Sequence, residues 1–176
     1  MIELTDKYIL LRTLRYSDKE SMAILANNKR IWNNLRDEFP YPYTENDALK
    51  FIDGVKVKEP QVDFAIEYEH RFTGVISLMP QKDILRHSAE IGYWIGEPFW
   101  GKGIASAAVA LLVHYGFKTL GLQRIYASVF EGNVASQKVL ENCGFLLEGT
   151  FRKGAFKNNR FLNDLRYGIT RDQVVD

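Results

Sequence analysis

"PFWGKGIASAAV" (Pro98–Val109) sets two glycines around a lysine and then runs straight into an apolar helix. No Ser, Thr, Asp or Asn stands where that helix begins. The first four amides of a helix have no partner inside it, and a side-chain cap normally satisfies some of them. From Ile104 to Leu120 the run is apolar on nearly every face, interrupted by Ser106, His114, Lys118 and Thr119. Such a helix is buried against a sheet, which holds its start firmly. Gly101 and Gly103 lack a Cβ, so the backbone can turn sharply there and a ligand can approach it. The stretch therefore predicts a helix–sheet core and, at its uncapped start, a site for an anion, favoured by free N–H groups and the helix dipole. The bland alternative is a tight loop whose amides bond to water. A nucleotide P-loop is excluded, because no Gly-Lys-Ser/Thr follows at the required spacing.

Working outward, Tyr8–Leu14 reads as a strand, and Ser17 or Asp18 caps a helix to about Asn28. Lys29–Arg36 reads as a short second helix. In "DEFPYPYTENDALKFI" two prolines stop it, and Thr44-x-x-Asp47 starts another. Asp63–Tyr68, Phe72–Leu78 and Ala89–Ile95 read as successive strands, the first two joined by a tight turn near Glu69–Arg71. Gln123–Phe130 alternates Ile125, Ala127 and Val129 on one face. Val134–Asn142 is a helix with Asn133 as cap and Gly144 beyond its end. Phe145–Arg152 and Phe161–Ile169 close the chain as a hairpin. The order is α+β: a mainly antiparallel front half, a β-α-β crossover in the middle, and helices on both faces of one sheet.

Composition narrows the function. The 176 residues suit a single domain, 1–176, with a real core, and 46% hydrophobic against 26% charged residues is an ordinary globular balance. Lys and Arg number 23 against 22 Asp and Glu, so there is no electrostatic footprint for nucleic acid or an anionic membrane. One cysteine, Cys143, excludes an internal disulfide framework and reads as a small buried residue in a reducing compartment. "MIELTDKYILLRTLRYSD" carries charges throughout and reads as neither a signal peptide nor a spanning helix, which points to the cytoplasm. His70, His87 and His114 have no metal-ligand spacing, and no metal is expected.

Strand Ala89–Ile95, the glycine turn, the long helix, strand Gln123–Phe130 and the "NVASQKVLENCGF" helix (Asn133–Phe145) together resemble the GNAT N-acetyltransferase superfamily. "EFPYPYTENDA" and "LEGTFRKGAF…N…DLRYGI" resemble its RimJ/RimL branch, which acetylates ribosomal-protein N-termini. The resemblance covers essentially the whole chain. It implies a sheet splayed at the cofactor site and acetyl-CoA as acyl donor, with CoA as product. The family's turn has the form Gln/Arg-x-x-Gly-x-Gly/Ala; here Trp100 replaces the leading residue.

The resemblance also implies roles. The pyrophosphate would lie on the turn formed by Gly101, Lys102, Gly103, Ile104, Ala105 and Ser106. The pantetheine arm would pair with the backbone of Tyr93, Trp94 and Ile95, where the strands part; Gly92 suits a bulge or opening there. The plain alternative for the Tyr93 and Trp94 side chains is core packing. Asn133 would contact the cofactor, cap its helix, or both. Ser136 would face the sulfur as thiolate stabiliser, because Leu140 stands where many members carry an acid tyrosine; otherwise it is a small helix residue. Glu90 is the candidate general base for the amine, against a plain strand-start charge, and Ser128 stands where some relatives have a glutamate. Trp32, Asn33, Arg36, Tyr41 and Tyr43 cluster in the segment over the acceptor groove. The implied activity is acetyl transfer to a primary amine, with a protein or peptide N-terminus as leading acceptor. A polyamine, amino sugar or antibiotic amine is an alternative, as is a non-catalytic acyl-CoA-binding regulator. The final hairpin offers a dimer edge.

Overall fold

A computed structural model describes residues 2–6, 8–57 and 59–174. The strands are β1 (Leu4–Thr5), β2 (Ile9–Arg12), β3 (Asp63–Tyr68), β4 (Arg71–Pro80), β5 (Ser88–Ile95), β6 (Arg124–Phe130), β7 (Leu146–Lys157) and β8 (Arg160–Thr170). The helices are α1 (Lys19–Ala26), α2 (Lys29–Trp32), α3 (Glu45–Lys56), α4 (Ile104–Lys118) and α5 (Val134–Asn142). The strands form one sheet in the order β1-β2-β3-β4-β5-β6-β8-β7, antiparallel except for β5 and β6.

That parallel pair is the product of the predicted crossover through α4. Its helix buries Ile104, Ala108, Val109, Leu112, Val113, Tyr115 and Phe117 against Ile76, Leu78, Ile91 and Ile125 of the sheet. Gly116 lets the helix sit close, since a Cβ there would stand 2.9 Å from Ile125 Cδ1. On the other face, α1 and α3 cover Ala65, Phe72, Val75 and Trp94. Helix α3 starts as its sequence requires, with Thr44 and Asp47 in a reciprocal capping box. The turn after β3 holds Glu69 and His70 at positive φ.

Three local expectations need correction. Helix α2 ends at Trp32 rather than Arg36, because Asn34 and Leu35 donate to carbonyls only three residues back, tightening the chain over poor helix formers. The Asp18 carboxylate does not cap α1; it accepts from the Arg15 amide and from the buried Arg12 guanidinium at 2.9 Å. The final hairpin runs five residues beyond Arg152, to Lys157. Register shifts at Leu147/Gly149 and Phe151/Ala155 break its alternation and hide it from the sequence pattern. Strand β7 is the sheet's outer edge, with Leu146, Leu147, Phe151 and Phe156 exposed, so the edge considered for a homodimer is open. No helix among the described residues is long and apolar enough to cross a membrane.

Candidate active site

Strands β5 and β6 pair over only three residues each, Ser88–Glu90 with Arg124–Tyr126. Beyond that apex β5 stays bonded to β4 as far as Ile95, and β6 to β8 as far as Phe130. The facing edges, 91–95 and 127–130, diverge into a V whose backbone groups have no ladder partner on that side. The opening needs no bulge at Gly92: β4 and β5 keep an unbroken register there, with Gly92 opposite Ser77. The V is the mouth of a cleft of about 640 Å³ lined by Gly92–Ile95, Gly101–Ser106, Ala127–Val129 and Asn133–Ser136.

The glycine turn closes one end. Gly101 and Gly103 sit at φ +75° and +76°, and a Cβ on either would meet no atom within 4 Å. Both therefore border open space in a conformation that side chains disfavour. Gly103 takes the N-cap position of α4 without any side-chain cap, and Ala107 makes the first bond back to the Gly103 carbonyl at 3.1 Å. The anomalous Trp100 is a brace. Its indole N–H donates to the Ile95 carbonyl at 2.7 Å, tying the turn to the end of β5. Arg30 lies 4.8 Å over its ring and is held by Glu97, which also accepts from Asn28 at 2.6 Å.

Asn133 is indeed a helix cap: its Oδ1 accepts from the Ser136 amide at 3.2 Å, and both residues line the cleft. Ser136 Oγ is 2.9 Å from the Tyr93 hydroxyl, which reaches across from β5. Burial pushes the Tyr93 hydroxyl up to about 12, although the Ser136 bond works the other way. Burial likewise raises the Cys143 thiol, which contacts the Ser106 carbonyl at 3.3 Å. Trp94 turns to the opposite face and packs among Phe39 and Phe72, with centroids 6.2 and 6.1 Å away. Its side chain takes the core alternative, and its carbonyl points toward β4, where Trp94 pairs with Val75, rather than into the V.

Glu90 stands at the apex, in the last paired residue before the strands part. Its Oε1 accepts from Arg36 Nη2 at 2.6 Å, and that bond raises the Arg36 guanidinium further. Ser128, two residues past the apex on β6, donates to the buried carboxylate of Asp164. That carboxylate, from β8, was not singled out from sequence because its partner lies 36 residues away.

The acceptor-side residues gather beside the cleft rather than in its lining. Trp32 and Tyr41 face one another at 5.7 Å, while Tyr43 is buried, stacked on Phe39 at 4.9 Å. A second segment, which sequence reasoning missed, completes this wall. From the tip of the final hairpin, Lys157 Nζ sits 3.6 Å over the Trp32 ring and 2.6 Å from Asp37 Oδ1. Asn158 beside it donates to Asn33 Oδ1 at 3.0 Å. The Lys157 side chain is only 2% exposed, so the contact is a built joint and not a surface encounter. No group of three or more His, Cys, Asp or Glu among the described residues could hold a metal.

The family model for the acetyltransferase (GNAT) domain matches residues 9–146. YdaF of Bacillus subtilis (strain 168) is 40% identical over 110 residues, a match spanning 62% of this chain and 60% of YdaF. The ribosomal-protein-serine acetyltransferase of Escherichia coli (strain K12) is 35% identical over 98 residues, 56% of this chain and 54% of that protein. Among solved structures, the spermidine N-acetyltransferase from Vibrio cholerae in complex with CoA and spermine superposes with a TM-score of 0.81 at 25% identity. That likeness covers 96% of this chain and 98% of the other.

Proposed function

The chain belongs to the GNAT acetyltransferase family, and on that premise we propose that it acetylates the N-terminal α-amine of a protein or peptide, a ribosomal protein foremost, by direct attack within a ternary complex. The observation that carries this reading is the V between β5 and β6, ending on the uncapped start of α4. The residues fit the cofactor: the amides of Gly101–Ser106 offer an anion cradle at the end of the cleft, with open space beside the α-carbons of 101 and 103, and the 91–95 edge offers main-chain pairing for an extended arm. Acetyl-CoA supplies an activated acyl group and a thiolate leaving group.

The chain's own residues supply the rest. An α-amine is largely protonated near neutral pH, so a base must take its proton. Glu90 takes that part at the apex; Arg36 pins Oε1 and leaves Oε2 for the acceptor's proton, directly or through water. Ser136 donates a hydrogen bond to the developing thiolate from the opposite wall. Trp32, Asn33 and Tyr41, fixed by the Lys157 joint, form the acceptor wall, and Tyr43 supports it from the core. The reaction belongs in the cytoplasm, where acetyl-CoA is made and used.

A polyamine is the second reading, and charge argues against it. Around the apex and the wall, the carboxylates Glu90, Asp164, Glu148 and Asp37 are each paired with a cation: Arg36, Arg166, Arg124 and Lys157. With these four compensated, the mouth keeps only a small surplus of negative charge, from Glu38 beside Arg36, to hold several ammonium groups. Thiol release from acetyl-CoA with a panel of free-N-terminus peptides, spermidine and amino sugars tests this. Turnover with peptides above the small amines is expected. Turnover of spermidine alone would overturn the acceptor assignment, and silence with every amine would leave an acyl-CoA-binding regulator.

A further inference from the structure

We propose that the Tyr93 hydroxyl is a positioning group for Ser136, orienting the serine O–H across the V toward the cofactor's sulfur. This rests on the reading of the cleft as the acetyl-CoA site. Alternation along β5 sends Glu90 and Trp94 to the face of α1 and α3, and Tyr93 to the face of α4 and α5. There its Oη lies 2.9 Å from Ser136 Oγ and 3.4 Å from the Ser136 carbonyl oxygen.

A serine hydroxyl has one hydrogen and two lone pairs. When Tyr93 donates, Ser136 Oγ accepts, and its single hydrogen turns away from the tyrosine toward the cleft that Ser136 lines. Without that donor, a helical serine rotates to bond a carbonyl one turn earlier. The tyrosine thus removes the competing rotamer and, as the first link of a two-membered chain, polarises the second. Asn133 holds the backbone of the same residue by accepting from its amide, so Ser136 is fixed from both ends.

Burial keeps the tyrosine neutral, so it retains the one hydrogen it can donate, through the range in which a thiol ionises. Ser136 and the Cys143 thiol, both on or just beyond α5, are the groups that act on it, and burial raises the Cys143 thiol as well. The place on α5 where many members of the family carry a tyrosine holds Leu140, fully buried in the core. Here a tyrosine hydroxyl reaches the same helix from the opposite wall.

The test compares binding of CoA and desulfo-CoA by calorimetry from neutral to alkaline pH. The proteins are wild type, Tyr93→Phe, Ser136→Ala and the double variant. Desulfo-CoA lacks only the sulfur, so the ratio of the two affinities isolates the contact to sulfur from every other titration. Wild type should prefer CoA increasingly as the thiolate accumulates. Tyr93→Phe should cut that ratio about tenfold at high pH, the scale of one hydrogen bond to a charged group. Ser136→Ala should abolish the preference, and Tyr93→Phe should add nothing on top of it. An undiminished preference in Tyr93→Phe, or additive losses in the double variant, would overturn the proposal. Failure of wild type to bind either compound would instead overturn the cofactor reading beneath it. Should Tyr93→Phe melt below the assay temperature, wild-type protein labelled at tyrosine Cζ decides. The Tyr93 resonance should shift with CoA and not with desulfo-CoA, and equal shifts would refute the link.

Discussion

Replacing Gly103 by alanine separates the cost of a backbone conformation from the cost of losing an anion site. Gly103 lies at φ +76° and Gly121 at φ +67°, and a Cβ at either position meets no atom within 4 Å. Neither Gly103→Ala nor Gly121→Ala creates a clash, so each costs about 1–2 kcal/mol for placing an L-residue in the left-handed region. For a domain of this size that lowers Tm by about 2–8 °C, and by similar amounts in the two variants. Their surroundings differ. The open space at Gly103 fronts the uncapped start of α4 inside the cleft, whereas Gly121 follows that helix and lies outside it. A methyl group at 103 should displace the pyrophosphate from at least one amide. A hydrogen bond to a charged group is worth about 1.5–3 kcal/mol, so CoA should bind at least about tenfold more weakly. Thermal denaturation and calorimetry with CoA on both variants provide the comparison. Equal CoA affinity in the two proteins would refute the anion site, whatever their stabilities.

Other expectations rest on separate contacts. Glu90→Gln keeps shape and removes basicity, so kcat/KM should fall by roughly 10² at neutral pH and recover as pH rises and the amine deprotonates unaided; a ratio to wild type that does not vary with pH would take Glu90 out of the mechanism. Lys157→Met removes the ammonium that joins the hairpin tip to Trp32 and Asp37, and should raise the acceptor KM while leaving the CoA Kd unchanged; a changed CoA Kd with an unchanged acceptor KM would refute the joint's role. Burial raises both Tyr43 and Tyr93 to about 12, against about 10 when unfolded. Between those values the unfolded chain has lost protons that the folded one keeps, so their stabilisation is whole below about pH 10 and is lost by about pH 12, at most about 3 kcal/mol each. In an alkaline titration, at least two of the nine tyrosines should therefore ionise only as circular dichroism is lost, with the buried Tyr115 and Tyr167 also late; ionisation of all nine with the fold intact would contradict their burial.

What the sequence showed depended on range. The uncapped apolar helix, the Asn133 and Thr44 caps and the alternation of β6 are signals contained in a few consecutive residues, and each appears in the fold where it was read. The parting of β5 and β6 came from family resemblance, since nothing local in Ile91–Ile95 announces that one edge stays open; Gly92, the residue suspected of making the opening, sits in regular pairing. Contacts between distant segments were out of reach. The Tyr93–Ser136 bond joins positions 43 residues apart, and the Lys157–Asp37 pair positions 120 apart. Tyr43 has the composition of a binding aromatic, but its place is decided by Phe39 stacking beneath it, a tertiary fact. Trp100 looked like a defect in a phosphate-binding pattern; only the carbonyl of Ile95 reveals it as the strut of the turn.

The central claim is direct acetyl transfer from acetyl-CoA to an α-amine within one complex, and mass spectrometry of a single-turnover mixture tests it most directly. Protein, one equivalent of acetyl-CoA and a free-N-terminus peptide are mixed, and the peptide, protein and released thiol are weighed and counted together. The account predicts one acetyl group on the peptide's α-amine for each thiol released, with the protein's mass unchanged throughout. Acetyl retained on the protein, or thiol released with the peptide unmodified, would contradict it.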